Sequence, residues 1–228
     1  MNIIIATYKE YDIKNLDNLK TIFPYFNFYL INDKNKLTLT YIKNIKPKYI
    51  FFPHWSYYIP KEIYENYECI VFHLGDLPFG RGGSPLQNLI IRGIYKSKIS
   101  ALKVCDVLDG GDIYLKYNIS FKYFSAQKIY EKISRIIFTK LIPQILTLDV
   151  KPYKQKGKVL VFKRRKPNQS NIKTINNINI RKIYDFIRML DAKDYPTAFL
   201  EYENIKIYFK NAKFKNNIIQ AKVEIYEK

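Results

Sequence analysis

Short apolar runs, separated by segments with helical periodicity, place the strongest constraint on how this chain can fold. Four such runs lie in the first third of the sequence, at Asn2–Ala6 and at residues 26–31, 48–52 and 69–72. Runs this short, rich in β-branched and aromatic residues, are typical of buried parallel strands. Between the first two runs, residues 12–23 carry apolar side chains at helical spacing. The alternation predicts an α/β fold with a Rossmann-like, mainly parallel sheet flanked by helices.

Three polar residues lie at or just past the ends of predicted strands of this sheet. They are Thr7, His54 and His73, and the two histidines are the only ones in the chain. In open α/β sheets, ligands bind beyond the carboxyl ends of the strands. We therefore predict a functional site at this edge of the sheet.

The second half of the chain changes character near residue 150. Before it, we predict a helix at 86–94, strands at 101–108 and 113–119, and a long helix at 126–146. Residues 149–157 then carry Pro152 and Gly157 among lysines, which indicates a boundary. We predict a catalytic domain at residues 1–150 and a small C-terminal region, one helix plus a β-rich part, at residues 151–228. Its helix is expected at 180–190, and its strands at 195–200, 205–209 and 221–226.

Composition narrows the possible partners. With 39 basic and 20 acidic residues, the chain has a net charge of +19, which favours phosphates, nucleotides, nucleic acid or anionic lipid. The heavy use of Ile, Lys, Asn and Tyr offers the alternative of compositional drift. Two cysteines without a Cys-x-x-Cys pair argue against a disulfide framework and a zinc site, so no metal is expected. No apolar stretch reaches membrane-spanning length, and we expect a cytoplasmic protein.

Two segments carry residues suited to acyl transfer to an amine. That reaction needs a base, donors for a developing oxyanion, and a carboxylate that orients the base or a water. His73 and Asp109 supply the first and the third. Glycines around Arg81 allow close approach of backbone to a ligand, and the arginine adds a fork of donors. Each piece alone also fits a structural role, since Asp-Gly pairs often shape turns.

The spacing of these residues resembles a known family. The pattern His73-x-x-x-Leu77-Pro78-x-x-Arg81-Gly82-x-x-Pro85 is similar to the loop of the folate-dependent formyltransferases, His-x-x-Leu-Leu-Pro-x-x-Arg-Gly-x-x-Pro. Asp109-x-Gly111-x-Ile113 resembles that family's Asp-x-Gly-x-Ile. The family includes glycinamide ribonucleotide, methionyl-tRNA and sugar N-formyltransferases. The resemblance covers about residues 1–146, and it implies the formyltransferase fold, N-formyltransferase activity and 10-formyltetrahydrofolate as cosubstrate.

The resemblance also implies roles for individual residues. His73 and Asp109 match the catalytic histidine and aspartate. The implied folate-binding residues are Leu77, Pro78, Gly80, Arg81, Gly82, Asp106 and Gly110, and the implied substrate-binding residues are Gly83, Ser84 and Gln87.

One position departs from the family pattern. The family usually has Asn two residues before the histidine, and here that position is Val71. The amide would donate to the formyl oxygen, and losing one such donor typically costs on the order of 3 kcal/mol. We hypothesise that His54 supplies the missing donor as a third catalytic residue. The alternative is that His54 packs with Trp55 as a structural residue.

The residues of the loop and of the C-terminal region resemble those of the sugar-nucleotide branch of the family. Residues 82–88, with His54-Trp55 upstream and residues 162–199 downstream, carry this likeness. It implies formylation of a nucleotide-linked 4-amino-4,6-dideoxy sugar, for surface glycan or pseudaminic-acid-type sugar biosynthesis. The expected partner is then a small molecule rather than a nucleic acid, and a homodimer is compatible with the sequence.

Two alternatives remain open. Methionyl-tRNA formyltransferase has the same chemistry and would suit the positive charge. The length of the chain argues against it, because that enzyme carries a C-terminal barrel that these residues cannot complete. The second alternative is a basic nucleic-acid-binding module, with residues 163–166 as contacts and tyrosines as stacking platforms.

Overall fold

The structure is a computed structural model that describes all residues from Met1 to Lys228. The chain forms two compact units. Unit 1 comprises residues 1–81, 97–119 and 131–161, and unit 2 comprises residues 82–96, 120–130 and 162–228. Each unit is therefore assembled from separate stretches of the chain. The predicted domain boundary at residue 150 stays a prediction.

Eleven strands and seven α-helices make up the chain. The strands are β1 (Asn2–Ala6), β2 (Asn27–Ile31), β3 (Tyr49–Phe52), β4 (Cys69–Leu74), β5 (Phe79–Gly82), β6 (Lys96–Lys103), β7 (Ile113–Ser120), β8 (Leu160–Phe162), β9 (Ala198–Tyr202), β10 (Ile205–Lys215) and β11 (Ile218–Glu227). The helices are α1 (Glu10–Ile22), α2 (Leu39–Ile45), α3 (Lys61–Tyr64), α4 (Pro85–Ile90), α5 (Ala126–Ile136), α6 (Ile142–Thr147) and α7 (Ile180–Leu190).

The central sheet has the strand order β2-β1-β3-β4-β6-β7. Strands β2, β1, β3 and β4 run parallel to one another, and β6 runs antiparallel to β4. Residues 3–6 of β1 are completely buried, as expected for a strand covered on both faces. The predicted α/β fold with a mainly parallel sheet is confirmed.

Two predicted elements differ from the structure. The strand predicted at 101–108 lies at Lys96–Lys103, where Leu74 pairs with Ile99 and Ile70 with Lys103. It ends there because its partner β4 begins at Cys69, which leaves 104–108 to form a turn. The single helix predicted at 126–146 is α5, a π-helical stretch at Ile137–Leu141, and α6.

Helix α7 and the antiparallel sheet β11-β10-β9 form the C-terminal part of unit 2. The helix begins at Asn179, whose side chain accepts a hydrogen bond from the backbone N–H of Lys182 at 2.9 Å. Its last two turns, Tyr184–Leu190, are buried and include the charged Asp185 and Arg188. The predicted helix and the β-rich character of this region are confirmed.

A short two-stranded ladder, which the sequence analysis did not predict, joins β5 to β8. Within unit 1, the N–H of Leu160 donates to the carbonyl of Pro78 at 3.2 Å. Within unit 2, the N–H of Gly83 donates to the carbonyl of Phe162 at 3.0 Å.

No helix in the chain is both long and apolar enough to span a bilayer.

Candidate active site

His73 and Asp109, the predicted catalytic pair, lie together in unit 1. Nδ1 of His73 is 3.3 Å from Oδ2 of Asp109, and the two side chains are only 9% and 13% exposed. Nε2 of the same ring is 2.7 Å from the carbonyl oxygen of Gly80. Because a carbonyl oxygen only accepts, Nε2 carries the proton of this hydrogen bond. Nδ1 then faces the Asp109 carboxylate, which orients the ring.

The backbone around this pair is closely packed. A Cβ added to Gly75 would lie 3.0 Å from Cδ2 and 3.2 Å from Nε2 of His73, so glycine leaves the room that the ring occupies. Asp109 has a φ of 51°, in the left-handed region that non-glycine residues rarely adopt. Holding a carboxylate there requires support from neighbouring groups.

The predicted folate-binding residues of the loop have different surroundings within unit 1. Leu77 is 1% exposed and packs against Leu102 and Ile113. Gly80 has a φ of 85°, and its carbonyl accepts from His73. The guanidinium of Arg81 donates from Nε and Nη2 to Oε1 of Gln155, at 3.1 and 2.8 Å. Gln155 lies in the segment after the predicted catalytic domain, and the sequence analysis missed it.

The turn at 104–110 exposes its middle residues, Asp106, Val107 and Leu108. Asp106 is exposed, and a Cβ added to Gly110 would lie 2.6 Å from Cγ1 of Val107. Val107 and Leu108 are 52% and 69% exposed, although both are apolar. An exposed apolar turn next to the Asp109 carboxylate suits contact with a flat, partly apolar ligand.

The remaining predicted binding residues belong to unit 2. Gly82 has a φ of 95°, and a Cβ added to Gly83 would lie 2.5 Å from Cβ of Arg164. The hydroxyl of Ser84 accepts from the N–H of Arg165 at 3.1 Å. Gln87 is completely buried and donates to Tyr130 and to the carbonyl of Met189, at 3.0 and 2.9 Å. Its predicted contact with substrate stays a prediction, and its amide hydrogen bonds hold the interior of unit 2.

His54 lies beside a buried carboxylate in unit 1. Nδ1 of His54 is 3.0 Å from Oδ2 of Asp12, which is completely buried and also accepts from the hydroxyl of Thr7 at 2.8 Å. Thr7 and His54 therefore both contact the carboxylate of Asp12 on helix α1, a residue that was not predicted from the sequence. His54 has a φ of 47°, so its ring is held by a backbone in the left-handed region.

Asp76 ties the loop after His73 to strands β6 and β7. Its carboxylate is 2.6 Å from Nζ of Lys116 and 3.1 Å from Nζ of Lys98. Lys116 also donates to the carbonyl of Leu77 at 2.6 Å. Burial alone would raise the pKa of Asp76, but the hydrogen bonds and charges of Lys116 and Lys98 outweigh burial and lower that pKa below its ordinary 3.8.

Replacing Asp76 with asparagine should lower stability in a pH-dependent way. A carboxylate with a depressed folded-state pKa contributes stability that is present above its ordinary pKa and is lost as the pH falls through the folded-state pKa. Because the side chain is 46% exposed, we expect a loss of about 1 kcal/mol or less at neutral pH. Urea unfolding of both proteins between pH 7 and pH 3 measures it. A difference that does not shrink toward pH 3 would contradict the assignment.

Other reactive groups lie apart from this pair. Burial raises the pKa of the Cys69 thiol to about 12, so it is a poor nucleophile. No group of three or more His, Cys, Asp or Glu side chains is positioned to hold a metal ion. A groove of about 500 Å³ in unit 2 is lined by Thr197, Lys206, Tyr208, Lys210, Glu224, Tyr226, Glu227 and Lys228, none of which is a predicted site residue.

Known proteins resemble this chain in sequence and in structure. Residues 167–226 match the family described as methionyl-tRNA formyltransferase, C-terminal domain. A methionyl-tRNA formyltransferase from Campylobacter jejuni (strain RM1221) is 26% identical over 179 residues, which are 78% of this chain and 57% of that protein. The chain spans about half the length of the curated relatives it matches.

Two solved structures, one from the methionyl-tRNA branch and one from the sugar branch of the family, differ in their sequence identity to this chain. Methionyl-tRNA formyltransferase from Clostridium thermocellum is 51% identical, covers 100% of both chains and superposes with a TM-score of 0.96. A sugar N-formyltransferase from Shewanella superposes with a TM-score of 0.73 over 92% of this chain and 97% of that chain, but it is only 16% identical. The second likeness shows the fold alone.

These comparisons contradict the predicted substrate and partner. The sugar-nucleotide prediction, its role in surface glycan or pseudaminic-acid-type biosynthesis, and the expected absence of a nucleic-acid partner are wrong. Chain length does not exclude likeness to a methionyl-tRNA formyltransferase, because this chain covers 100% of the Clostridium thermocellum protein. The predicted family is confirmed at its broader level. The chain belongs to the folate-dependent formyltransferase family.

Proposed function

We propose that this chain transfers a formyl group from 10-formyltetrahydrofolate to the amino group of methionyl-tRNA. The observation that carries the proposal is the His73–Asp109 pair, 3.3 Å apart near the carboxyl end of β4. The 51% identity to the Clostridium thermocellum methionyl-tRNA formyltransferase supports the choice of acceptor.

The residues present fit a folate. Its ring system has polar edges and flat faces, and the turn beside Asp109 exposes Val107 and Leu108 next to backbone groups. The glycine at position 75 leaves room beside the ring of His73. When bound, the folate supplies the formyl carbon at which the reaction takes place.

The reaction makes one bond and breaks one. A bond forms between the amine nitrogen and the formyl carbon, and the bond from that carbon to the donor nitrogen breaks. One proton leaves the amine, and one proton ends on the donor nitrogen. Negative charge develops on the formyl oxygen in the transition state, so a nearby positive donor lowers the barrier.

His73 and Asp109 divide this work. Nε2 of His73 donates to the carbonyl of Gly80 at 2.7 Å, and this N–H becomes the donor to the formyl oxygen when that hydrogen bond is exchanged. The Asp109 carboxylate lies 3.3 Å from Nδ1 and orients the ring. Asp109 is also the group that can take the amine proton, directly or through a water.

His54 is a further candidate donor in place of the family's asparagine at Val71. Phe52 on β3 pairs with Val71 on the adjacent parallel strand β4. His54 lies two residues after Phe52, and His73 lies two residues after Val71. A ring that donates from Nδ1 to Asp12 offers a second N–H only as an imidazolium. A His54→Ala variant whose kcat falls by much less than about tenfold would reject this role.

Basic side chains support a polyanionic acceptor. The chain has a net charge of +19, and Lys163 and Arg164 are exposed. In unit 2 the backbone of Arg164 lies directly against Gly83, so these cations are fixed next to the loop that continues from Arg81. Cations that contact phosphates supply salt-dependent affinity for RNA.

Formylation assays with three acceptors test the proposal: methionyl-tRNA, the same RNA without methionine, and a nucleotide-linked amino sugar. We expect formylated product on methionyl-tRNA only. Its kcat/KM should fall by about tenfold between about 50 and about 200 mM salt, because a few phosphate contacts each release counterions on binding. The His73→Ala variant gives the background rate. Faster formylation of the sugar, or no product above that background, would overturn the proposal.

A further inference from the structure

We propose that Gln155 is a positioning residue that joins the two halves of the active site; this inference rests on the proposed function. Its Oε1 accepts from Nε and Nη2 of Arg81, at 3.1 and 2.8 Å. Its Nε2 donates to the carbonyls of Asp109 and Gly111, both at 2.8 Å. One side chain thus connects the loop after His73 to the turn that carries Asp109. We call these four hydrogen bonds the Gln155 bridge.

The partners of this bridge require an amide. A guanidinium only donates and a backbone carbonyl only accepts, so one atom must accept and its neighbour must donate. The oxygen therefore faces Arg81 and the nitrogen faces the turn. Glutamate would accept from Arg81 but would bring a negative oxygen against two carbonyls. Alanine would leave the arginine and both carbonyls without these partners.

The turn depends on outside support for its shape. Asp109 has a φ of 51°, a conformation that costs free energy for a residue with a side chain. On the far side of the turn, a Cβ added to Gly111 would lie 1.8 Å from the carbonyl oxygen of Lys103, so the backbone has no room to move that way. The N–H of Lys103 also donates to the carbonyl of Asp112 at 2.9 Å. Gln155 holds the side of the turn that carries Asp109.

The segment that carries Gln155 is itself anchored. Tyr153 exchanges two backbone hydrogen bonds with Ile113, at 2.8 and 3.0 Å. Leu160 donates to the carbonyl of Pro78 at 3.2 Å. These contacts fix the glutamine relative to both motifs, so its amide can set the direction of the Asp109 carboxylate toward Nδ1 of His73.

The test compares Gln155→Glu, which keeps the size and the contact with Arg81, with Gln155→Ala. Gln220→Ala, an exposed change on β11, is the matched control. Because small misplacements of catalytic groups cost up to about a hundredfold, kcat should fall about 10–100-fold in both Gln155 variants. KM for methionyl-tRNA should change less than threefold. The control should match the wild type in both constants.

Hydrogen exchange measures the bridge without any enzymatic assay. The N–H of Gly110, which donates to the carbonyl of Val107 at 2.9 Å, should exchange at least tenfold faster in Gln155→Glu than in Gln220→Ala. If the wild type formylates nothing, the proposed function fails, and this measurement still tests the bridge. Unchanged exchange in Gln155→Glu would overturn the bridge. Faster exchange with an unchanged kcat would overturn the positioning role, as would a loss confined to KM.

Discussion

Replacing Asp109 with asparagine should lower kcat at least about a hundredfold while the protein stays folded. Asparagine keeps the size and one oxygen, but it removes the negative charge 3.3 Å from Nδ1 of His73 and the group that can take the amine proton. Acid–base groups of this kind contribute about 10²–10⁴ in rate. His73→Ala should cost at least as much. Single-turnover formylation at saturating donor and acceptor measures both variants.

A double variant shows whether the two residues act together. If His73 and Asp109 work as one unit, removing both should cost little more than removing His73 alone, since such effects are not additive. Asp17→Asn, at an exposed position on α1 that pairs with Lys20, is the control and should keep wild-type kcat. Near-normal turnover in either single variant, at unchanged thermal stability, would refute the catalytic assignment.

Replacing Arg188 with alanine should lower the free energy of unfolding by about 3–5 kcal/mol, since it breaks a buried ion pair. Arg188 is 1% exposed, and its Nε donates to Asp185 at 2.7 Å. Its Nη1 donates to the carbonyls of Phe121 and Phe124, at 3.0 and 2.9 Å. The variant leaves these oxygens without their donor and opens a cavity. Urea unfolding gives the difference between variant and wild type.

The surface position Arg135 provides the control for that experiment. It is exposed on α5, and Arg135→Ala should change the free energy of unfolding by no more than about 0.5 kcal/mol. A loss below about 1 kcal/mol in Arg188→Ala would mean that water or neighbouring donors replace the guanidinium. The buried pair would then contribute little to the stability of unit 2.

The sequence predicted the elements that follow a simple hydrophobic pattern. Strand β1 and helix α7 lie where their apolar runs placed them, because burial on one or two faces dictates such runs. Strands β5 and β8 were missed because they are short, and one of them reads Phe-Gly-Arg-Gly. Their ladder joins residues about eighty positions apart, and no local pattern reports such a pairing.

The candidate site was predictable only where a motif marks it. His73 and Asp109 were found because both lie in spaced motifs with glycines, and the structure places them 3.3 Å apart. Asp12, Lys116 and Gln155 were missed. Each acts through contacts with residues distant in sequence, and nothing in its local sequence distinguishes it from an ordinary helix, strand or linker residue.

The motifs do not determine which acceptor the chain uses. They describe the transfer of a formyl group, a step that sugar and tRNA acceptors share, so they do not report which acceptor binds. Chain length also gave the wrong acceptor. This chain was expected to be too short for a methionyl-tRNA formyltransferase, but it covers the full length of the Clostridium thermocellum protein. Identity over the whole chain was the information that separated the branches.

Any chimaera that exchanges the C-terminal part of this protein must keep residues 153–160 with the loops that carry His73 and Asp109. Tyr153, Gln155 and Leu160 contact the Ile113 strand, the Asp109 turn and Pro78 in turn. With a junction at residue 150, position 155 would come from the other protein, which need not have a glutamine there. Exchanges of the C-terminal part should therefore be joined beyond Val161, which keeps the contacts of Tyr153, Gln155 and Leu160 in place.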